Sequence, residues 1–319
     1  MSEDLFRPAL IVVDFQEDFC PPNGSLAVAN GRDIHPVVNS LLRLPFTIKI
    51  ATKDWHPQDH ISFASNHDGK QPFVDAIDIV NPRNSAETFH TRLWPVHCVQ
   101  GTPGAALVPE LDASAVDTVI EKGQNKDVEM YSVFYDPFQS PRVSDSGLAA
   151  SLKGKRVTDV YVVGLAGDYC VKCTALDAQK EGFRTFIVEE GTRPVDAEKW
   201  DECKGALEAS GVKIISMEGP ESRGQRCFRV PSKIGYAMSS GYLLFQRLMA
   251  FGEPPSWVYQ HQLQWCILWA HALIQLLTGY TGAIFVCMDS LRRCERLRSL
   301  VTMERPCIRI LCSPLCRHV

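Results

Sequence analysis

The chain has 319 residues, with 33 basic and 37 acidic side chains, 45% hydrophobic and 22% charged residues. That composition excludes a wholly disordered, collagen-like or polytopic membrane chain, and a net charge of -4 gives no reason to expect nucleic acid as the main partner. The average conceals a break. Residues 1–221 hold 21 basic and 33 acidic side chains, whereas the 98 residues beyond hold 12 and 4, and eleven of those 12 are Arg. Seven of the 12 Cys lie there too. Two compositions are joined near residue 221: a domain over 1–221 and an extension over 222–319.

Ala9-Leu-Ile-Val-Val13 is a short, wholly apolar run, which suits a strand buried on both faces. Ile34 to Leu44 carries apolar residues at helical spacing and is stopped by Pro45. Strands are predicted at Thr47–Ala51, Asp117–Lys122 and Asp159–Gly164. A helix through Ala175–Lys180 ends at Gly182, and a strand at Arg184–Val188, a helix at Ala197–Ala209 and a strand at Val212–Ile215 follow. Strands alternating with helices mean βαβ units and a mostly parallel sheet, an α/β fold. Residues 55–115 are rich in Pro, Asn and His and read as long loops.

Ligands of such sheets bind beyond the carboxyl ends of the strands. Asp14 follows the first strand; Lys53, Asp54, Trp55 and His56 follow the second; Lys122 ends the third; Gly167, Asp168, Tyr169 and Cys170 follow the fourth. Cys170 falls where a helix is expected to start, and the dipole there favours a thiolate nucleophile. A carboxylate such as Asp14 can take the thiol proton and deliver it to a leaving amine, and Lys122 would stabilise the ionised forms. Cys170-x-x-Cys173 also admits a redox reading, which would not need the separate Asp and Lys. A structural zinc site is not expected, because no second Cys or His pair lies at short spacing.

Asp54-Trp-His56 with His97 supplies two imidazoles and a carboxylate, a facial set for a metal with open positions. His35, His60, His67 and His90 read as solvated loop residues, with His60 and His67 next in line for the metal. Phe19, Trp55, Trp94, Tyr131, Phe134 and Tyr135 offer aromatic faces, Phe134 being the one assigned to the core.

Asp14-Phe-Gln-Glu-Asp-Phe19, Lys53-Asp-Trp-His56, Trp94-Pro-Val-His-Cys-Val-Gln-Gly-Thr102, Lys122-Gly123 and Gly164-Leu-Ala-Gly-Asp-Tyr-Cys170 together resemble the nicotinamidases, the fungal ones above all, of the isochorismatase-like cysteine hydrolase superfamily. The resemblance covers residues 8–217. It implies a three-layer α/β/α domain around a sheet of about six strands. It also implies Cys170 as nucleophile, Asp14 as general base and acid, and Lys122 as third catalytic member. Asp54, His56 and His97 would bind a divalent metal, most often zinc, which would hold the pyridine nitrogen of nicotinamide. The N–H groups of Ala166, preceded by a cis peptide, and of Cys170 would form an oxyanion hole. Phe19, Trp94 and Tyr131 would line the ring. The implied reaction is hydrolysis of nicotinamide, and of pyrazinamide, through a thioester in NAD salvage. The alternatives are another amide or ureido hydrolase of the superfamily, or a membrane-tethered scaffold without turnover. Cys173 departs from the family, which more often has a small residue there.

Nothing in 222–319 matches the family. Trp265–Met288 is long enough to cross a bilayer, but His271, Gln275, Gly279 and Gly282 interrupt it, and no membrane segment is expected. An Arg- and Cys-rich stretch of this kind reads as a weakly ordered appendage or translated non-coding sequence. An acidic start and a five-residue apolar run are not a signal peptide. Five Cys at irregular spacing in the first part indicate reduced thiols and a cytoplasmic protein, with nucleus and peroxisome left open, as is homo-oligomerisation.

Overall fold

The computed structural model describes residues 6–217. The extension from 222, including Trp265–Met288, lies outside the described residues. Six strands, β1 (Pro8–Val13), β2 (Ile48–Asp54), β5 (Thr118–Lys122), β6 (Asp159–Leu165), β7 (Arg184–Arg193) and β8 (Lys213–Ile215), form one sheet in the order β5-β2-β1-β6-β7-β8. Every pairing in it is parallel. The apolar run at residues 9–13 is buried at every position because the sheet is covered on both faces. Leu10 and Val12 join the cluster on one face, with Val38, Leu41 and Leu42 of helix α1 (His35–Leu42). Ala9, Ile11 and Val13 join the other. There they meet Leu148 and Leu152 of α2 (Leu148–Gly154), Ala175 and Ala178 of α3 (Lys172–Lys180), and Leu207 of α4 (Trp200–Ala209). Each such buried aliphatic side chain contributes about 1.5–3 kcal/mol. Three layers result, as expected.

The stretch read as long loops is not all loop. Residues 76–92 form an antiparallel hairpin, β3 (Ala76–Asn81) and β4 (Asn84–Arg92), separate from the main sheet. Its pattern is faint because β4 buries only Thr91. The helix α2 was also unforeseen; its seven residues place only Leu148 and Leu152 in the core. β7 runs five residues beyond the expected Val188, carried by its register with Gly164 and Leu165 of β6. Among the described residues no helix is long and apolar enough to cross a membrane, and all five cysteines are free.

Candidate active site

The chain leaves β1 to build β2 and β5 on one side, then returns for β6, β7 and β8 on the other, so the sheet's switch point lies between β1 and β6. Such points open a crevice at the strand ends. Asp14 leaves β1 with φ 45°, a left-handed conformation costing about 1–2 kcal/mol for a residue with a Cβ. Two bonds hold it there: its N–H donates to Thr52 Oγ1 at 3.0 Å, and that hydroxyl donates to Asp14 Oδ1 at 2.6 Å. Asp54 and Lys122 are register partners at the ends of β2 and β5, which sets their side chains side by side.

Lys122 Nζ lies 2.5 Å from Asp54 Oδ1, 2.9 Å from Asp14 Oδ2 and 3.5 Å from Cys170 Sγ, and it donates to the Met130 carbonyl at 3.2 Å. All four side chains are buried. Burial works against the Lys122 charge, but Asp14 and Asp54 outweigh it and push the ammonium well above its usual range. Burial and the neighbouring Asp54 raise Asp14 to about 6, with Lys122 and Thr52 opposing. Burial likewise pushes the Cys170 thiol well up, against the pull of Lys122. The thiolate expected from a helix start is therefore not the resting form. Cys170 sits in a π-helical turn, Gly167–Val171, ahead of α3. The resting pair is a thiol and a carboxylate of unusually high pKa, suited to passing a proton during attack. The Leu165–Ala166 peptide is cis, as the resemblance implies.

Next to this cluster the ligand atoms of Asp54, His56 and His97 lie within 4.8 Å of one another. His56 Nδ1–H donates to the Gly123 carbonyl and His97 Nδ1–H to the Pro95 carbonyl, both at 2.8 Å. Each ring thus turns its Nε2 to Asp54 Oδ2, at 3.5 and 3.9 Å. Two imidazoles locked by backbone carbonyls and one carboxylate fit a divalent cation. Gly123 has φ 68°, and a Cβ there would collide with the His56 ring, so the carbonyl that orients His56 needs glycine. His60 is fully buried, not solvated as expected. It stacks on His56 with centroids 4.0 Å apart, and both its nitrogens are engaged, by Ser62 Oγ and the Val128 carbonyl. His67 is half-buried and bonded to the Ile61 carbonyl. Neither is among the grouped ligands.

Phe19 lies against His97, centroids 5.4 Å apart. Trp94 Nε1–H donates to Tyr131 Oη at 2.8 Å, and that oxygen meets Thr91 Oγ1 at 2.7 Å. Tyr169 packs edge-on against Trp94 at 4.7 Å and completes the aromatic wall. Trp55 instead carries Lys53 over its ring, and Phe134 is core as expected.

A profile of the isochorismatase domain matches residues 8–219. The chain belongs to the isochorismatase family. Within that family, a nicotinamidase of Acinetobacter baylyi is 42% identical over 214 residues, which cover 65% of this chain and 92% of that protein. A solved yeast nicotinamidase bound to the inhibitor nicotinaldehyde is 34% identical with a TM-score of 0.62, over 66% of this chain and 99% of its own. A Pyrococcus horikoshii pyrazinamidase in complex with zinc is 36% identical with a TM-score of 0.51, over 66% and 99%.

This isochorismatase-family site also uses residues that sequence reasoning missed. Thr52 clamps Asp14. Gln16 accepts the Asp54 N–H at 2.8 Å and donates to the Asp54 carbonyl at 2.8 Å, tying β2's end to β1. Asp18 accepts the N–H of Cys98, next to His97, at 2.7 Å. Gln16 and Asp18 lie inside the quoted Asp14–Phe19 motif. Thr52 and Thr91 carry no signal in one sequence, because their partners are distant in the chain.

Proposed function

We propose that the protein is a nicotinamidase, hydrolysing nicotinamide to nicotinic acid and ammonia in NAD salvage, and accepting pyrazinamide. The observation that carries this reading is the convergence of Asp14, Lys122 and Cys170 around one buried ammonium, beside the Asp54–His56–His97 set and the aromatic wall. Its relatives are nicotinamidases over nearly their whole length.

In the proposed reaction the ring lies between Phe19 and Trp94, with Tyr131 fixing Trp94. Asp14 takes the Cys170 proton as the sulfur attacks the carboxamide carbon. The N–H groups of Ala166 and Cys170 receive the developing oxyanion. Asp14 passes the proton to the departing ammonia, leaving a thioester, then takes a proton from the water that cleaves it. Lys122 keeps the carboxylate and the transient thiolate charged. A divalent ion on Asp54, His56 and His97, which we assign as zinc, would supply a Lewis-acidic anchor for the pyridine nitrogen. The free thiols support a cytoplasmic setting.

The test is ammonia release from nicotinamide by the full chain, beside Cys170→Ala, with zinc and with a chelator. Turnover that depends on Cys170 is expected, with a loss of about 10⁴-fold or more in kcat on its removal. A folded, zinc-loaded chain that leaves nicotinamide intact would overturn the reading.

A further inference from the structure

The proposed hydrolysis uses Cys170 and leaves the second half of the Cys170-x-x-Cys173 motif unexplained. Cys173 is the second residue of α3, and the two residues between the thiols have helical dihedrals: Val171 at φ -63°, ψ -50° and Lys172 at φ -55°, ψ -53°. Helical residues three apart have Cα atoms about 5 Å apart. That lies within the span of about 4.4–6.8 Å that a disulfide bridges. Both thiols are free.

Their exposures differ in a useful way. Cys170 is buried at the strand ends beside Asp14 and Lys122. Cys173 is only partly buried, and it lines two grooves, of about 160 and 480 Å³, together with Phe89 and Tyr131. Cys170 thus belongs to the catalytic cluster, whereas Cys173 borders surface grooves.

We propose that Cys173 is a resolving thiol, which captures an oxidised Cys170 as an intramolecular disulfide and makes peroxide inactivation of this enzyme reversible. The inference rests on Cys170 being the nucleophile. A hydroperoxide small enough to reach Cys170, as the proposed substrate must, is the oxidant. The Cys170 sulfur attacks its terminal oxygen, the O–O bond breaks, and two electrons pass from sulfur to oxygen. Asp14 takes the thiol proton and hands it to the departing alkoxide or hydroxide. Cys170 becomes a sulfenic acid and the peroxide an alcohol or water. The Cys173 sulfur then attacks the Cys170 sulfur; the S–O bond breaks, the S–S bond forms, and hydroxide leaves with the Cys173 proton as water. Without a partner thiol, a second and third oxidation would carry Cys170 to sulfinic and sulfonic acids, which thiols do not reverse. A dithiol arriving through the grooves that Cys173 lines attacks Cys173, releases Cys170 as a thiol and leaves as its own disulfide.

Burial pushes the Cys173 thiol up to about 12, with Asp177 adding and Lys172 and Lys122 opposing. Cys173 is therefore a thiol in the resting protein, and its proton leaves with the hydroxide as the sulfur attacks the sulfenic acid one helical turn away.

The experiment treats the full chain and Cys173→Ser with hydrogen peroxide, then with dithiothreitol. Activity and the tryptic peptides are followed in parallel. Trypsin cuts after Lys172, so the proposed bridge would appear as two cross-linked peptides that separate on reduction. Cys173→Ser is expected to keep its basal turnover and to lose activity on oxidation as the wild type does. The wild type should show the cross-link and regain most of its activity. Cys173→Ser should carry Cys170 with two or three added oxygens and stay at least tenfold below its starting activity. Two results would overturn the proposal: a wild type whose Cys170 is over-oxidised with no link to Cys173, or a Cys173→Ser that recovers equally well. The cross-link is read by mass, so it tests the bridge even if nicotinamide proves not to be the substrate.

Discussion

Thr52 offers a direct test of how the general base is tuned, because it makes no other polar contact in the site. Its hydroxyl donates to Asp14 Oδ1 at 2.6 Å and accepts the Asp14 N–H at 3.0 Å. Thr52→Val keeps the shape and removes both bonds. A hydrogen bond to a charged group contributes about 1.5–3 kcal/mol, and an orphaned buried N–H costs about 1–3 kcal/mol. The expected destabilisation is about 3 kcal/mol, or about 6–12 °C for a domain of this size. The catalytic effect has its own sign. The hydroxyl favours the charged carboxylate and opposes the burial that raises Asp14 to about 6. If about 1.4 kcal/mol of the bond is specific to the carboxylate, losing it moves the pKa up by about one unit. Asp14 must be ionised to accept the thiol proton, so activity falls as pH drops through its pKa. The acid limb of kcat/KM for nicotinamide should therefore move from about 6 to about 7, with the plateau at higher pH little changed. Thr52→Ser, which restores the hydroxyl, should bring the limb back. An acid limb that stays in place in a folded Thr52→Val would refute this account of the base.

Lys122→Met leaves Asp14 and Asp54 facing each other in the core without their shared cation, and a loss of about 3–5 kcal/mol of stability is expected by denaturant titration. The same change removes the charge that holds Asp14 down, so whatever activity survives should have its acid limb shifted upward. Tyr131→Phe strips the acceptor from Trp94 Nε1 and the partner from Thr91; KM for nicotinamide should rise about fivefold to tenfold, with a smaller change in kcat, in steady-state assays. Zinc at about 100 times its Kd should raise the melting temperature by about 5–10 °C, from a binding contribution of about 2.7 kcal/mol, and His56→Ala should abolish the shift in calorimetry.

Much of this protein is written in short stretches of its chain. The apolar run at 9–13 announces a strand buried on both faces, and the alternation of strands with helices announces a parallel sheet. Asp14, Asp54, Lys122 and Cys170 are visible as a set because each stands at or just past a strand end, where a parallel sheet exposes its ligand site. His56 and His97 are visible because an Asp-x-His pair after a strand, with a further imidazole, offers the donor types that a divalent metal takes.

Other features depend on neighbours that only folding supplies. The hairpin at 76–92 has no continuous apolar face, so periodicity passes over it, yet its Thr91 braces the aromatic wall. His60 reads as a loop residue, and it is buried because Val128 and Ser62 satisfy its ring on either side. A helix start predicts a thiolate at Cys170, whereas complete burial favours the thiol, since removing solvent outweighs the nearby ammonium. The identity of the reactive groups is thus a local property of the sequence. Their protonation and aim are decided by desolvation and by partners brought from 38 to 68 residues away, such as Thr52 for Asp14 and Lys122 for Asp54.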